Sequence, residues 1–220
     1  MNRGLVILGT GGNCTDILEI VMALPGQPYT CAGFLDDDAR THGRAIGGVR
    51  VLGALDSARA CGDCLFVNVI GSPTSFLRKR EILARTGIPD DRFATIVHPS
   101  AVVSPSASLG AGTVVFPNVT IGSGARVGRH GMILANCVIS HDCVLGDWSV
   151  LASTVSLAGG VTIGESCYLG MASTVRGGVH VGAGSLVGMG SVVIRDVDPG
   201  SVVAGNPART LRRSLPDHQP

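Results

Sequence analysis

A repeat of six residues runs through the second half of the chain and constrains its fold more than any other feature. From Val97 to Val193 every sixth residue is aliphatic, at 17 consecutive positions, and a small residue follows each of them four positions later. A period of six matches neither the 3.6-residue turn of a helix nor the two-residue alternation of an isolated strand. It predicts a parallel β-helix, in which each hexapeptide supplies one short strand and one turn, and three hexapeptides complete a coil.

Residues eighteen positions apart are expected to stack on the same face of such a prism. One face is apolar along its whole length and consists of Val114, Phe116, Met132, Leu134, Val150, Ala152, Tyr168, Gly170, Leu186 and Gly188. A second face presents Ser108, Arg126, Val144, Thr162 and His180 and is predicted to face solvent. Because large continuous apolar surfaces mark contact regions, we expect the first of these, called the apolar face below, to be an interface.

A different pattern precedes the repeat. Apolar runs at residues 5–8, 31–35 and 65–70 predict three strands, and residues 15–22 and 76–85 predict helices, the second of them basic. This alternation predicts an α/β domain with a mainly parallel sheet, a small Rossmann-like βαβ unit. Since a dinucleotide-binding fold needs two such halves and this segment holds little more than one, a mononucleotide or nucleotide-sugar site is favoured over a site for NAD.

The loops after these strands supply seven candidate nucleotide-binding residues: Gly11, Gly12, Asn13, Asp36, Asp37, Gly71 and Ser72. The first three precede the first helix, where backbone N–H groups can meet a phosphate. The two aspartates end the second strand, where a carboxylate can bind a ribose hydroxyl or a base edge. The alternative is a glycine-rich turn with a structural role only, because tight connections between strand and helix use glycine without any ligand.

Composition and charge exclude several classes of protein. With 17 basic and 16 acidic side chains the net charge is +1, which argues against nucleic-acid binding through a basic face. No apolar run approaches the ~18 residues of a membrane-spanning helix, and the first apolar run is too short for a signal peptide. Seven cysteines, an odd number without an export signal, indicate reduced thiols and a cytoplasmic protein. Cys61 and Cys64 form a lone C-x-x-C pair, so no metal site is expected.

One corner of the predicted prism carries candidate catalytic residues. His141 and Asp142 lie side by side in a turn, where the carboxylate can fix the tautomer of the imidazole and raise its basicity. Gly159 follows His141 by 18 residues and therefore lies at the same corner one coil further on. Its N–H, which no side chain obstructs, can approach a developing oxyanion. The alternative is a solvated corner without a catalytic role.

The whole layout resembles the nucleotide-sugar N-acetyltransferases of the hexapeptide-repeat superfamily, which have sialic-acid O-acetyltransferases among their relatives. The resemblance rests on Gly9-Thr10-Gly11-Gly12, His141-Asp142-Cys143, residues 157–164 and Gly205-Asn206-Pro207-Ala208. It implies a left-handed β-helix, acetyl-CoA as co-substrate without a metal, and a homotrimer, whose contact we place on the apolar face. It also implies that His141 is the general base, that Asp142 assists it, and that the Gly159 amide binds the thioester oxyanion.

The same resemblance places acetyl-CoA on the β-helix and on its C-terminal cap, at Gly159, Gly170, Met171, Gly188, Met189, Asn206 and Pro207. Two positions depart from the pattern of the relatives. Many of them have an asparagine where this chain has Leu134, and a second histidine where it has Val150. Contacts that select the sugar or the acyl donor are therefore expected to differ from those of the relatives.

These observations predict three segments: a nucleotide-sugar-binding domain (1–95), a catalytic β-helix that binds acetyl-CoA (96–198), and a C-terminal cap and tail (199–220). The predicted reaction is acetyl-CoA-dependent N-acetylation of a nucleotide-linked 4-amino-4,6-dideoxy sugar, with GDP-perosamine as the best candidate, in the biosynthesis of a surface polysaccharide. Alternatives are a UDP-linked amino sugar, O-acetylation of a sugar hydroxyl, and a nucleotide-binding scaffold without catalysis. Neither nucleic acid nor a membrane is expected as a partner.

Overall fold

The computed structural model describes residues 2–214, and its N-terminal part is built on a five-stranded sheet. The strands are β1 (Arg3–Leu8), β2 (Tyr29–Leu35), β3 (Ala45–Ile46), β4 (Val49–Gly53) and β5 (Leu65–Asn68), in the order β3-β4-β2-β1-β5. All are parallel to their neighbours except β3, which is antiparallel to β4. Helix α1 (Cys14–Ala23) connects β1 to β2, and α2 (Lys79–Ala84) follows β5 after a 3₁₀ turn at Phe76–Arg78.

The hydrophobic pattern explains most of these elements. Leu5 to Leu8 are fully buried, because a strand inside a parallel sheet is covered on both faces. The basic helix predicted at residues 76–85 is shorter than expected, since its first turn is 3₁₀. The hairpin of β3 and β4 was not predicted, although Gly47 and Gly48, with φ of 55° and 81°, form the two-residue turn that favours hairpins. The Rossmann-like description of this domain stays a prediction.

The repeat forms three parallel sheets of two-residue strands. The first face contains β6 (Ile96–Val97), β9 (Val114–Val115), β12 (Met132–Ile133), β15 (Val150–Leu151), β18 (Tyr168–Leu169) and β21 (Leu186–Val187). The second contains β7 (Val102–Val103), β10 (Thr120–Ile121), β13 (Val138–Ile139), β16 (Ser156–Leu157), β19 (Thr174–Val175) and β22 (Val192–Val193). The third contains β8 (Ser108–Leu109), β11 (Arg126–Val127), β14 (Val144–Leu145), β17 (Thr162–Ile163) and β20 (His180–Val181). The hairpin of β23 (Ser201–Gly205) and β24 (Ala208–Arg213) extends the first face.

Each short strand pairs with the strand one coil away, as Met132 does with Val150. This register confirms the stacking of residues eighteen positions apart, and the architecture is consistent with the predicted left-handed β-helix. The aliphatic residues of the repeat fill the prism together with the small residues between them. Cys137, Cys143 and Cys167 belong to that core and are fully buried, so these cysteines are packing residues.

The apolar face has a different partner from the one predicted. Met132 and Val150 are each 1% exposed, because the N-terminal domain packs on them. They share one hydrophobic core with Leu5 of β1 and Ile17 of α1. The placement of a trimer contact on this part of the face was therefore wrong. An apolar surface indicates that something covers it, but a contact within the chain and a contact between chains bury the same kind of surface.

The third face agrees with its prediction. Ser108, Arg126 and His180 are exposed to solvent, and the remaining outward residues of that face are half-buried. Among the helices of residues 2–214, none has the length and apolarity that crossing a bilayer requires.

Candidate active site and ligand cavity

The corner between β13 and β14 holds a histidine beside a carboxylate. His141 Nδ1 lies 2.9 Å from Asp142 Oδ2, and the two side chains are 67% and 73% exposed. Asp142 has a left-handed backbone conformation, with φ of 59°, which aspartate tolerates better than most residues. With the carboxylate accepting a hydrogen bond from Nδ1–H, Nε2 keeps its lone pair and can take a proton from a substrate.

Gly159 lies on the next coil, directly against this histidine. A Cβ at Gly159 would lie 2.5 Å from His141 Nε2, so glycine is the residue that leaves room for the ring. Gly160 N donates a 2.9 Å hydrogen bond to the carbonyl O of His141, which joins the two coils at this corner. Within residues 2–214, Gly159 N–H donates no hydrogen bond, whereas the amides on either side of it do. The structure thus brings the candidate base and a free N–H donor together.

A cavity of about 670 Å³ lies between the N-terminal domain and the first face of the β-helix. Nine of the predicted binding residues line it: Gly11, Gly12, Asn13, Gly71, Ser72, Gly170, Met171, Gly188 and Met189. It lies where the paired strands β1 and β5 end, and the carboxyl ends of parallel strands are where such sheets bind ligands. A Cβ at Gly11 or Gly12 would meet no atom within 4 Å, so this backbone is open to a ligand.

A second cavity, of about 430 Å³, adjoins the first and shares Asn13 and Leu134 with it. Its lining includes Asp16 and Glu19 of α1 and His98. Leu134, the position where many relatives have asparagine, therefore lies between the two cavities. Its apolar side chain offers a ligand in either cavity none of the hydrogen bonds that an asparagine amide would offer.

Asp36 and Asp37 do not line the cavity and are held by contacts within the domain. Asp36 Oδ2 accepts hydrogen bonds from Thr10 N at 2.6 Å and Thr10 Oγ1 at 2.7 Å, and its Oδ1 accepts one from Asp38 N at 2.8 Å. Asp37 accepts from Leu55 N at 3.0 Å and forms an ion pair of 3.0 Å with Arg85. Neither carboxylate is among the residues that line the cavity, although its contact with Thr10 places Asp36 beside the loop of Gly11 and Gly12. The binding roles of Asp36 and Asp37 stay predictions. Asn206 and Pro207, in the turn between β23 and β24, are also outside the cavity lining.

The His141 corner and the cavity lie on opposite sides of the prism. The cavity is on the first face, whereas His141 follows β13 of the second face and precedes β14 of the third. In a three-sided prism the corner between the second and third faces is the one opposite the first. A single chain therefore holds the candidate base and the glycine-lined cavity apart.

Sequence reasoning missed one charged residue behind the cavity wall. Lys79 is fully buried, and its Nζ donates a 2.6 Å hydrogen bond to the carbonyl O of His130. Burial lowers the pKa of Lys79 from 10.5 to about 7. The sequence Arg78-Lys79-Arg80 gave no signal for this, because a basic run on a short helix usually faces solvent.

His130 is packed between aromatic side chains, which is typical of a structural role. Its ring stacks on Trp148 with centroids 4.1 Å apart and meets the ring of Phe93 edge-on at 4.6 Å. His130 Nε2 lies 3.3 Å from Asp90 Oδ1, and burial lowers the pKa of this histidine. In the described part of the chain, no group of three or more His, Cys, Asp or Glu side chains is arranged to hold a metal ion.

Comparison with known proteins adds to this geometry. The family model of the GMPPB C-terminal domain matches residues 93–187. A curated UDP-N-acetylbacillosamine N-acetyltransferase from Bacillus subtilis (strain 168) is 32% identical over 113 residues, which is 50% of this chain and 50% of that protein. The chain thus matches half the length of this curated relative.

Two solved structures match nearly the whole chain. The acetyltransferase domain of PglB from Neisseria gonorrhoeae FA1090 is 28% identical, with 96% of this chain and 100% of that one covered at a TM-score of 0.83. PerB from Caulobacter crescentus, in complex with CoA and GDP-perosamine, is 32% identical, with 95% of this chain and 97% of PerB covered at a TM-score of 0.82. This chain belongs to the coenzyme A-dependent sugar N-acetyltransferases.

The predicted resemblance is thereby confirmed. As a member of this family the chain is an acyltransferase with acetyl-CoA as co-substrate, and the PglB domain is also known in complex with acetyl coenzyme A. Two further structures of the Caulobacter N-acetyltransferase carry alanine or asparagine in place of a histidine. The roles of the individual residues in this chain stay predictions.

Proposed function

We propose that this sugar N-acetyltransferase moves the acetyl group of acetyl-CoA to the amino group of a nucleotide-linked 4-amino-4,6-dideoxy sugar. The observation that carries the proposal is the corner where Asp142 holds His141 Nδ1 and Gly159 lies against the same ring. PerB supports it, since that relative is known in complex with CoA and GDP-perosamine.

The corner supplies what an acetyl transfer to an amine requires. His141 Nε2 takes a proton from the sugar amine as its nitrogen attacks the thioester carbonyl carbon, so that the C–N bond forms and an oxyanion develops. Gly159 N–H donates a hydrogen bond to that oxyanion. When the intermediate collapses, the C–S bond breaks, and the imidazolium returns its proton to the departing thiolate. The products are the N-acetylated sugar and coenzyme A, and Asp142 stabilises the imidazolium between the two proton transfers.

The glycine-lined cavity is the proposed place of the nucleotide sugar. Gly11, Gly12 and Asn13 offer backbone N–H groups at the start of α1 to the phosphates, and Gly71 and Ser72, which follow the neighbouring strand β5, line the same cavity. GDP-perosamine is our leading candidate, by similarity to PerB. A UDP-linked amino sugar is the second candidate, by similarity to the Bacillus subtilis relative. A cytoplasmic role in surface-polysaccharide biosynthesis belongs to the same proposal.

We further propose that the active enzyme is a homotrimer. The supporting observation is that the His141 corner and the cavity lie on opposite sides of one prism. A second copy can bring its own His141 corner to the open end of the cavity, and a repeated head-to-tail contact of this kind closes as a ring. The second and third faces, which the N-terminal domain leaves uncovered, are available for the contact.

Supplying the purified protein with acetyl-CoA and matched sugar nucleotides tests the proposal. We expect thiol release with a GDP- or UDP-linked 4-amino sugar and none with the matching 4-hydroxy sugar. Release with the 4-hydroxy sugar would instead establish O-acetylation. If calorimetry shows nucleotide binding but no coenzyme A binding, the protein is a nucleotide-binding scaffold without catalysis. Analytical ultracentrifugation should show a species of three chains.

A further inference from the structure

Lys79, at the start of α2, is a buried cation without a buried anion. Its side chain is completely inaccessible, and within residues 2–214 no carboxylate forms an ion pair with it. Its hydrogen-bond partner is the neutral carbonyl O of His130, at 2.6 Å. Removing an ammonium group from water without an opposite charge is costly, so such a group indicates an anion that arrives from outside the chain.

The position of Lys79 indicates where that anion binds. Gly71 lines the cavity, and a Cβ at Gly71 would lie 3.8 Å from Lys79 Nζ. The same Cβ would lie 2.9 Å from Val150 Cγ2 and 3.5 Å from Met132 Cε. The ammonium group therefore lies directly behind the Gly71 wall, among apolar side chains. Because water does not reach this region, the field of the charge extends into the cavity with little screening.

We propose that Lys79 is the counter-charge for the diphosphate group of the nucleotide sugar, acting through the Gly71 wall of the cavity rather than by direct contact. The inference rests on the proposed function, because it assumes that a nucleotide diphosphate enters this cavity. It adds a binding role for a residue outside the cavity lining. The amides of Gly11 and Gly12, which line the same cavity, would contact the same group.

A consequence of this arrangement is that the protein takes up a proton at Lys79 when the ligand binds. Burial lowers the pKa of Lys79 to about 7, so part of the ligand-free protein carries a neutral amine at neutral pH. A bound anion favours the charged form, and the affinity should decrease as the pH rises above 7. The other charged groups near this point are His130, whose pKa burial lowers, and the ion pair of Asp90 with Arg129 beyond the His130 ring.

Titration calorimetry with GDP-mannose and UDP-glucose tests the inference. Their diphosphates are esterified at both ends, so the ligand itself does not titrate near neutral pH. Guanosine and uridine serve as ligands without phosphate. Measurements at pH 7.5 in two buffers of different ionisation enthalpy give the number of protons taken up. We expect uptake of a fraction of a proton by the wild-type protein with at least one sugar nucleotide, and none with the nucleosides.

Lys79→Met should abolish this uptake and weaken sugar-nucleotide binding about tenfold at pH 7, with nucleoside binding unchanged. Arg80→Met removes an exposed charge from the same helix and should change neither quantity. Lys79→Arg keeps a permanent charge and should bind without proton uptake. The inference is overturned if the wild-type protein takes up no proton with any sugar nucleotide that it binds, a measurement that needs no variant. It is also overturned if Lys79→Met, shown by nucleoside binding to be folded, keeps the wild-type affinity. If neither sugar nucleotide nor either nucleoside binds, the proposed function fails as well.

Discussion

The His141 corner and the glycine-lined cavity differ in solvent exposure and in the kind of groups that form them. The corner is open, and its two polar side chains are 67% and 73% exposed. The cavity lies between two parts of the chain, its walls are mostly glycine and apolar side chains, and the charge behind it is completely buried. An exposed polar corner can receive a reacting group and exchange protons, whereas a glycine wall lets a ligand approach the backbone closely. The two regions are therefore suited to separate tasks, and substitutions should affect them separately.

Loss of the candidate base should have the largest effect. His141→Asn removes the group that takes the amine proton, and the loss of a general base costs about 10²–10⁴-fold in rate. We expect kcat to decrease by that amount in steady-state assays, while the KM values for acetyl-CoA and the sugar nucleotide stay within a factor of about three. A variant that keeps most of its kcat would show that the corner is a solvated turn, and the contrast between the two regions would disappear.

A smaller but still large effect is expected from Gly159→Ala. The added Cβ would lie 2.5 Å from His141 Nε2 and must displace the ring. A misplacement of about 1 Å can cost about 10²-fold, so we expect a decrease of that order in kcat with little change in unfolding midpoint. Gly177→Ala is the matched control. It lies at the same corner one coil further on, where a Cβ would meet Gly159 O at 3.2 Å and no atom of the His141 ring within 4 Å. Equal losses in the two variants would contradict a specific role for the Gly159 position.

The two regions also differ in how far the sequence predicted them. The His141 corner follows from counting, because an uninterrupted period of six fixes which residues stack, and His141 and Gly159 are one coil apart. The cavity has no such rule. Gly11, Gly12 and Gly71 were predicted from their place after strands, and Gly170 and Gly188 from the family resemblance. The docking of the N-terminal domain on Met132 and Val150 was not predicted. An apolar surface indicates that it is buried, but it does not indicate whether another part of the chain or another subunit covers it.

Asp36 and Lys79 show the same limit at the level of single residues. An acid at the end of a strand can bind a ligand, accept backbone hydrogen bonds or do both, and the sequence did not predict the bonds that Asp36 accepts from Thr10. A lysine in a basic run can be solvated or buried, and Lys79 is buried because the β-helix covers it. In both cases the outcome depends on distant residues that neither composition nor spacing connects to the position.

The buried charge should also be visible in the stability of the protein. The pKa of Lys79 is lowered from 10.5 to about 7 by burial, so between these values the unfolded chain binds more protons than the folded one. Stability therefore rises with pH across this range as the penalty is relieved. Lys79→Met should raise the free energy of unfolding at pH 7 by about 1–4 kcal/mol, and less at pH 9.5. Urea unfolding at both pH values, with Arg80→Met as control, measures this. A gain that is the same at pH 7 and pH 9.5 would show that Lys79 is not a buried charge.

Asp142→Asn should have the smallest effect and therefore tests the corner most finely. Asparagine has the shape of aspartate and also tolerates the left-handed conformation of residue 142, so the turn should be preserved. The amide oxygen can still accept from His141 Nδ1–H and hold the tautomer, but it no longer stabilises the imidazolium that forms when the amine loses its proton. We expect kcat to decrease about tenfold, because the base itself remains and only the stabilisation of its charged form is lost. The KM values should not change.

Comparison with Asp142→Ala separates the two contributions of Asp142, since alanine removes the orientation of the ring as well and should lower kcat further. If Asp142→Asn matches His141→Asn in its loss of kcat, the carboxylate is as necessary as the imidazole, and the minor, assisting role given to Asp142 is wrong.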